Sequence, residues 1–183
     1  MRVKNAFTGL LAAAVLVCLT HSTQAASGVS DSTRSNGHEK LPVEAAKDSF
    51  DAKFVLTLGQ EAFLREWNQS TTTPRLPTVS AVKLGDTVST FVVFKGCRVS
   101  NSGKCDLRVT YGLTGSNAKY QELGAGYLWL SEPLAGKYML GSASVEIQFT
   151  EPEEAGDHIF HARIVDRVAG TSYELKTPLQ VVP

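Results

Sequence analysis

The chain contains 183 residues, of which 43% are hydrophobic, and its 18 basic residues balance its 18 acidic residues. This length and composition suit one globular domain built on a single hydrophobic core. Without a basic excess, the overall charge excludes a protein that binds a nucleic-acid backbone by charge alone.

The first 25 residues have the layout of a secretory signal peptide. Two basic residues precede an apolar run over residues 6–19, and a small-residue segment ends at Ala25. The run is too short for an ordinary membrane-spanning helix, and later apolar runs alternate with polar residues, so we predict no membrane span. We expect cleavage after Ala25 and a periplasmic or secreted location. Retention through a lipid-modified Cys18 is the alternative.

Residues 26–49 are predicted to be a flexible polar linker. They contain Ser, Gly, Asn and charged residues but few large side chains, so burial cannot offset the entropy of ordering them. The folded domain is therefore predicted to span residues 50–183. Cleavage would leave 16 basic and 18 acidic residues, which is a slightly acidic mature chain.

The first predicted elements of the domain are a strand and a short helix. Apolar residues alternate in FVLTL at residues 54–58, as in a strand. Phe63 and Trp67 are four residues apart, which places them on one side of a helix. The segment STTTPRLP at residues 70–77 should end that helix, because two prolines remove backbone donors.

Alternation continues through the centre of the chain. It predicts buried positions at the even residues of 88–94 and at the odd residues of 105–113 and 145–149. The intervening Gly-rich region, residues 114–137, should contain one or two short edge strands, with YLWL at residues 127–130 favoured.

The last elements form a predicted hairpin around the turn VAGTS. A strand from Asp157 to Val165 precedes the turn, and a second strand follows it. The second strand places one set of side chains on a single face: Tyr173, Leu175, Leu179 and Val181. About seven strands with one short helix predict an all-β, immunoglobulin-like antiparallel β-sandwich of Greek-key type.

Four segments of residues 50–183 carry a resemblance to known proteins: FLREWN, PTVSAVKLGDTVSTFVVFKGC, CDLRVTY and EAGDHIFHARIVDRVAGTSYEL. They resemble a loosely defined group of small exported proteins of Gram-negative bacteria with an immunoglobulin-like domain. The group has no assigned activity, so the resemblance implies a fold and an exported location rather than a reaction. The chain departs from antibody-type domains at its cysteines, which are too close in sequence for the inter-sheet pair.

Cys97 and Cys105 are predicted to form a disulfide at the neck of a hairpin. They end one predicted strand and begin the next, and Cys18 would leave with the signal peptide. A redox-active pair is the alternative, although reactive dithiols favour closer spacing and a helix N-terminus.

His158 occupies the place of the tyrosine-corner Tyr found in many such sandwiches. We predict a structural role for it, with one ring nitrogen bonded to the turn at residues 154–156. His161 lies three residues further along a strand and should face outward near Asp157 or Arg163, so the two imidazoles cannot share a metal ion unless the strand bulges. A metal or acid–base role is the alternative.

The acidic turn at residues 151–157 lacks the spacing of a recognised calcium loop, so we predict solvated charges and keep calcium as the alternative. The sequence contains no serine elbow and no H-E-x-x-H segment. These observations predict a protein that is not an enzyme and has no cofactor or resident metal.

Four aromatic residues define a candidate binding surface: Tyr120, Tyr127, Trp129 and Tyr138. Rings beside Asn117, Gln121 and Glu122 on loops can stack on a sugar or receive a partner. The alternative is that Trp129 and some of the tyrosines fill the end of the core. The sequence therefore predicts an exported, non-enzymatic module that binds a protein or another partner in the cell envelope. A carbohydrate-binding module is the alternative.

Overall fold

The fold comes from a computed structural model that describes residues 2–7, 50–70, 72, 74 and 78–183, with the backbone alone for residues 2–7 and 153. Most of the predicted signal peptide and all of the predicted linker, residues 26–49, lie outside these described residues. Within the part of the chain that the structure covers, no helix is long and apolar enough to cross a membrane.

Two sheets form a sandwich. One sheet contains β1 (Arg2–Phe7), β2 (Asp51–Leu58), β4 (Thr87–Lys95), β7 (Met139–Leu140) and β8 (Ala143–Gln148). The other contains β3 (Ala81–Lys83), β5 (Leu107–Thr114), β6 (Tyr120–Trp129), β9 (Gly156–Asp166) and β10 (Thr171–Val182). A ten-residue helix, α1 (Gln60–Gln69), follows β2, and a single 3₁₀ turn (Pro152–Glu154) precedes β9.

The strand order is β1-β8-β4-β2 in the first sheet, with β7 also paired to β4, and β3-β10-β9-β5-β6 in the second. Every pair is antiparallel except β3 with β10. Apart from β1 and the very short β3 and β7, the part of the chain that the structure describes has seven strands. The predicted immunoglobulin-like antiparallel sandwich with one short helix is confirmed.

The core lies between the sheets, where the predicted alternation is realised. The odd positions of residues 105–113 are buried, and so are Val145, Ile147 and Phe149. The Tyr111 hydroxyl crosses the core and donates to the Ala143 carbonyl at 2.7 Å, which links the two sheets. Burial raises the pKa of Tyr111 far above its usual range.

The first sheet is also buried on its outer face, because α1 packs against it. Phe63 of the helix contacts Phe91, with ring centres 4.4 Å apart, and Val55 and Val93 complete this second cluster. Strands buried on both faces show no simple alternation, and β4 is buried from Val88 to Phe94. The predicted helix with Phe63 and Trp67 on one side is confirmed.

The terminal hairpin is confirmed as β9 and β10, in antiparallel register from Gly156 to Asp166. Leu179 and Val181 are buried, and Tyr173 and Leu175 pack against the core from partly exposed positions. The predicted short edge strands in residues 114–137 are instead one ten-residue strand, β6. It extends because it pairs with all of β5, with register shifts at two points.

Candidate binding site

Cys97 and Cys105 face each other between β4 and β5. Their Cα atoms are 6.0 Å apart and their sulfur atoms are at disulfide-bonding distance. Both side chains are buried, which is typical of a structural crosslink rather than a reactive dithiol. The loop between them turns at Gly103, which has a positive φ of 76°.

His158 is buried at one end of the sandwich, with 4% of its surface exposed. Its Nε2 lies 2.7 Å from the carbonyl oxygen of Glu154, and its ring packs 4.8 Å from that of Phe149. Because a carbonyl only accepts, Nε2 must carry the hydrogen. Nδ1 is then an acceptor in the neutral ring, and no described residue bonds to it.

His161 faces away from the core. Its Nε2 lies 2.8 Å from Thr114 Oγ1, and its Nδ1 lies 3.5 Å from a carboxylate oxygen of Glu174. Within the described part of the chain, the polar contacts of His161 are therefore with Thr114 and Glu174 rather than with the predicted Asp157 or Arg163. Thr114, His161 and Glu174 place a hydroxyl, an imidazole and a carboxylate in the order of a catalytic triad. Glu174, however, is largely exposed and also contacts Lys176. The two contacts hold the imidazole in place on the outer side of the second sheet, where only 13% of the His161 side chain is exposed.

The described residues contain no group of three or more His, Cys, Asp or Glu side chains placed to hold a metal ion. In strand β9, His158 is buried in the core and His161 lies on the outer face, three residues apart.

The structure separates two of the four predicted aromatic residues from the others. Trp129 packs edge-to-face with Phe94 at 6.0 Å, and its Nε1 donates to the Glu132 carbonyl. Tyr138 belongs to the cluster around α1, on the outer face of the first sheet. Trp129 and Tyr138 therefore help to close the two hydrophobic clusters.

Tyr138 also takes part in an electrostatic group with Asp51. Its hydroxyl donates to the Asp51 carboxylate, and the ammonium groups of Lys53 and Lys95 lie 5.0 and 5.1 Å from the centre of its ring. The hydrogen bond from Tyr138 is the main cause that lowers the pKa of Asp51, and the same bond raises the pKa of Tyr138.

Of the four predicted aromatic residues, Tyr120 and Tyr127 are exposed, at 58% and 48%, and both lie on edge strand β6. Tyr127 stacks with the Arg108 guanidinium at 4.2 Å, and Arg108 Nη2 donates to its hydroxyl. Tyr120 lies across Gly112 of β5: a Cβ at Gly112 would come within 2.3 Å of the Tyr120 hydroxyl oxygen. The Tyr120 ring also meets the His161 ring edge-on at 5.5 Å.

A pocket of about 360 Å³ adjoins Tyr120 at the turn between β5 and β6. Its lining mixes apolar and polar side chains: Leu113, Gly115, Ser116, Asn117, Lys119, Tyr120, Gln121, Phe149, Glu154 and His158. Asn117 and Gln121 were singled out in the sequence, whereas Gly112, Ser116 and Lys119 were not. The sequence signal that could have pointed to position 112 is a glycine among the alternating residues of β5, where a strand usually carries a side chain.

No protein-family model matches the chain, and no curated protein matches it. Among solved structures, the superoxide reductase (neelaredoxin) of Ignicoccus hospitalis is 10% identical over 64% of this chain and 90% of its own, with a TM-score of 0.41. A CARDB domain from Pyrococcus furiosus is 12% identical over 73% and 94%, with a TM-score of 0.39. An immunoglobulin-like protein from Pseudomonas aeruginosa is 12% identical over 75% and 99%, with a TM-score of 0.34. Similarity at this level assigns no activity to the chain.

Proposed function

We propose that this protein is an exported, non-enzymatic immunoglobulin-like module that binds a protein or another component of the cell envelope. Its contact surface is the outer face of β5 and β6, which we call the tyrosine face: Tyr120, Tyr127 and Arg108. The predicted signal peptide and the paired cysteines support a periplasmic or secreted location.

The exposure of the two tyrosines on one edge strand is the observation that carries this proposal. Tyr and Arg are enriched at binding hot spots because they combine a large apolar area with hydrogen-bonding groups. Arg108 holds the Tyr127 ring from one side, so a partner would meet a partly ordered surface at a low entropy cost.

Site-specific photo-crosslinking in the exporting cell tests the tyrosine face. A photoreactive phenylalanine at position 120 or 127 should capture the same envelope component, which mass spectrometry identifies. Leu58 is a matched control, because it is exposed to a similar degree but lies on the other sheet. Arg108→Ala should weaken capture at position 127.

Equal capture from position 58, or different products from positions 120 and 127, would contradict the assignment of the surface. Turnover of a substrate that depends on Thr114 and His161 would contradict the non-enzymatic assignment, because these residues hold the hydroxyl–imidazole contact on the same sheet face.

Carbohydrate binding is the second candidate function. It is favoured by the position of Tyr120, whose exposed ring adjoins a pocket with polar side chains on its wall. Aromatic rings next to hydrogen-bonding groups suit ligands that have both an apolar face and hydroxyl groups.

A further inference from the structure

We propose that the Tyr120 ring and the adjoining turn pocket form a subsite for one neutral, polyhydroxylated ring of a saccharide. This inference deepens the second candidate function and rests on the proposed binding role. It also assigns a positioning role to Gly112, which touches no ligand in this arrangement but determines where the Tyr120 ring lies.

Gly112 provides the space in which the Tyr120 ring rests. Any side chain at position 112 would overlap the far end of the ring, with contacts of 2.3 to 2.6 Å to three of its atoms. Only glycine therefore lets the ring lie over the backbone of β5. Covering a strand glycine with an aromatic ring also protects the sheet, yet 58% of the Tyr120 surface remains available to a ligand.

The Tyr120 ring is held from the side as well as from below. The His161 ring meets it edge-on, and His161 is fixed in turn by Thr114 and Glu174. A preordered aromatic surface loses little conformational freedom when a ligand stacks on it. The apolar C–H face of a sugar ring is a suitable partner for such a surface.

The pocket beside Tyr120 supplies hydrogen-bonding groups of both kinds. The amides of Asn117 and Gln121 each donate and accept, the Ser116 hydroxyl does both, and Lys119 donates. Sugar hydroxyls also donate and accept, so they can satisfy this mixture. The turn is held in shape by the bonds between Gly115 and Lys119 and from Lys119 to the Asn117 side chain.

The charges on the pocket wall favour a neutral ligand over an ion. Lys119 and Glu154 carry opposite charges, and they are the only lining residues with a permanent charge among the described residues. The wall therefore has no excess charge to attract a phosphate or an ammonium group. His158 contributes a buried acceptor nitrogen with no described partner, a type of group that usually acquires a water or a ligand.

Titration with neutral sugars, followed by nuclear magnetic resonance, tests the subsite. The purified protein is mixed with methyl glycosides of glucose, galactose and N-acetylglucosamine and with their disaccharides. At least one sugar should shift the amide signals of residues 115–121 and the ring signals of Tyr120. Tyr120→Ala should weaken that binding about tenfold, whereas Tyr120→Phe should retain most of it, because the ring provides the stacking.

Gly112→Ala is the diagnostic variant, because it displaces the Tyr120 ring without removing any polar group. It should weaken sugar binding about as much as Tyr120→Ala does. Leu58→Ala is the matched control, because Leu58 is an exposed side chain on the other sheet, and it should leave sugar binding unchanged. If Gly112→Ala fails to fold by circular dichroism, the comparison of Tyr120→Ala, Tyr120→Phe and Leu58→Ala decides the question.

Three results would overturn the subsite: no shift with any neutral sugar, binding that survives Tyr120→Ala, or shifts caused by inorganic phosphate or methylammonium in place of sugars. Photo-crosslinking at position 127 keeps the two proposals separate. If crosslinking identifies a partner while no sugar binds, the subsite is wrong and the binding role stands.

Discussion

His158 illustrates how one side chain can stabilise a turn with only half of its hydrogen-bonding capacity. Nε2 donates to the Glu154 carbonyl, and the Glu154 carboxylate in turn accepts from the backbone of Thr150 and Glu151. The ring also fills space beside Phe149. We propose that His158 serves as the corner residue, a role in which both the volume and one donor matter.

His158→Ala should therefore cost about 1 to 3 kcal/mol of unfolding free energy, through lost packing and an unsatisfied carbonyl. His158→Tyr should be neutral or mildly stabilising, because a phenol also fills the space and donates. Thermal melts of both variants measure this. Equal destabilisation by Ala and Tyr would contradict the corner role.

The Asp51–Tyr138 pair gives the protein a pH-dependent contribution to stability. The folded state lowers the pKa of Asp51 mainly through the Tyr138 hydrogen bond, with Lys95 and Lys53 adding to the effect. A group with a lowered folded pKa stabilises the fold above its unfolded pKa. That stabilisation is lost as the pH falls through the folded pKa.

Tyr138→Phe should consequently reduce stability at about pH 6, and the difference from the wild type should shrink below the ordinary aspartate range, near about pH 4. Urea unfolding of both proteins across this range measures the difference. Tyr173→Phe is a suitable control. Among the described residues, the Tyr173 hydroxyl accepts a hydrogen bond from Thr171 and contacts no carboxylate. A Tyr138→Phe effect that stays constant with pH would contradict the linkage to Asp51.

Among the elements, the β4–β5 connection is the clearest case of a local crosslink. The paired cysteines lie before the start of β5, and the turn pocket lies beyond its other end. Because the disulfide constrains the unfolded chain over a short loop, it should matter for stability and leave the tyrosine face unchanged.

Cys97→Ala should lower the unfolding free energy by about 2 kcal/mol or somewhat more. Reducing agent should lower the melting temperature of the wild type and leave that of the variant unchanged. Sugar titration and crosslinking below the melting transition should match the wild type. Two free thiols in the protein isolated from an oxidising compartment would show that the predicted disulfide does not form there.

The regular strands were predictable because burial on one face leaves an alternating pattern. This holds for β5, β8 and the terminal hairpin, where polar and apolar residues alternate. β6 was predicted incompletely, because Gly124, Ala125 and Gly126 have low strand propensity and their pairing with β5 is a long-range effect. The pattern of burial on both faces of β2 and β4 also depends on α1, which local alternation does not reveal.

The candidate site was predictable only in part. Aromatic residues stand out in a sequence, but their exposure depends on neighbours from other strands. Trp129 packs against Phe94 of β4, and the Tyr120 ring lies against Gly112 of β5. Such pairings across strands carry no local sequence signal, so the four predicted aromatic residues could not be divided in advance into core and surface.

For the whole molecule, the central prediction is processing of the N-terminus. The intact mass of the exported protein should correspond to a chain that begins at Ala26 or within a residue or two of it. Mass spectrometry of protein from the exporting host measures this directly. A mature protein that retains Met1, or one that carries a lipid on Cys18, would overturn the predicted soluble form.

Processing also bears on the strand pairing at the side of the first sheet. Arg2–Phe7 pairs with β8 in antiparallel register, from Arg2 opposite Gln148 to Phe7 opposite Ala143. Cleavage after Ala25 would remove this covering strand and leave the backbone groups on that side of β8 without their partner. Precursor and product would thus differ in how readily they associate, because an uncovered strand is a template for pairing with another chain.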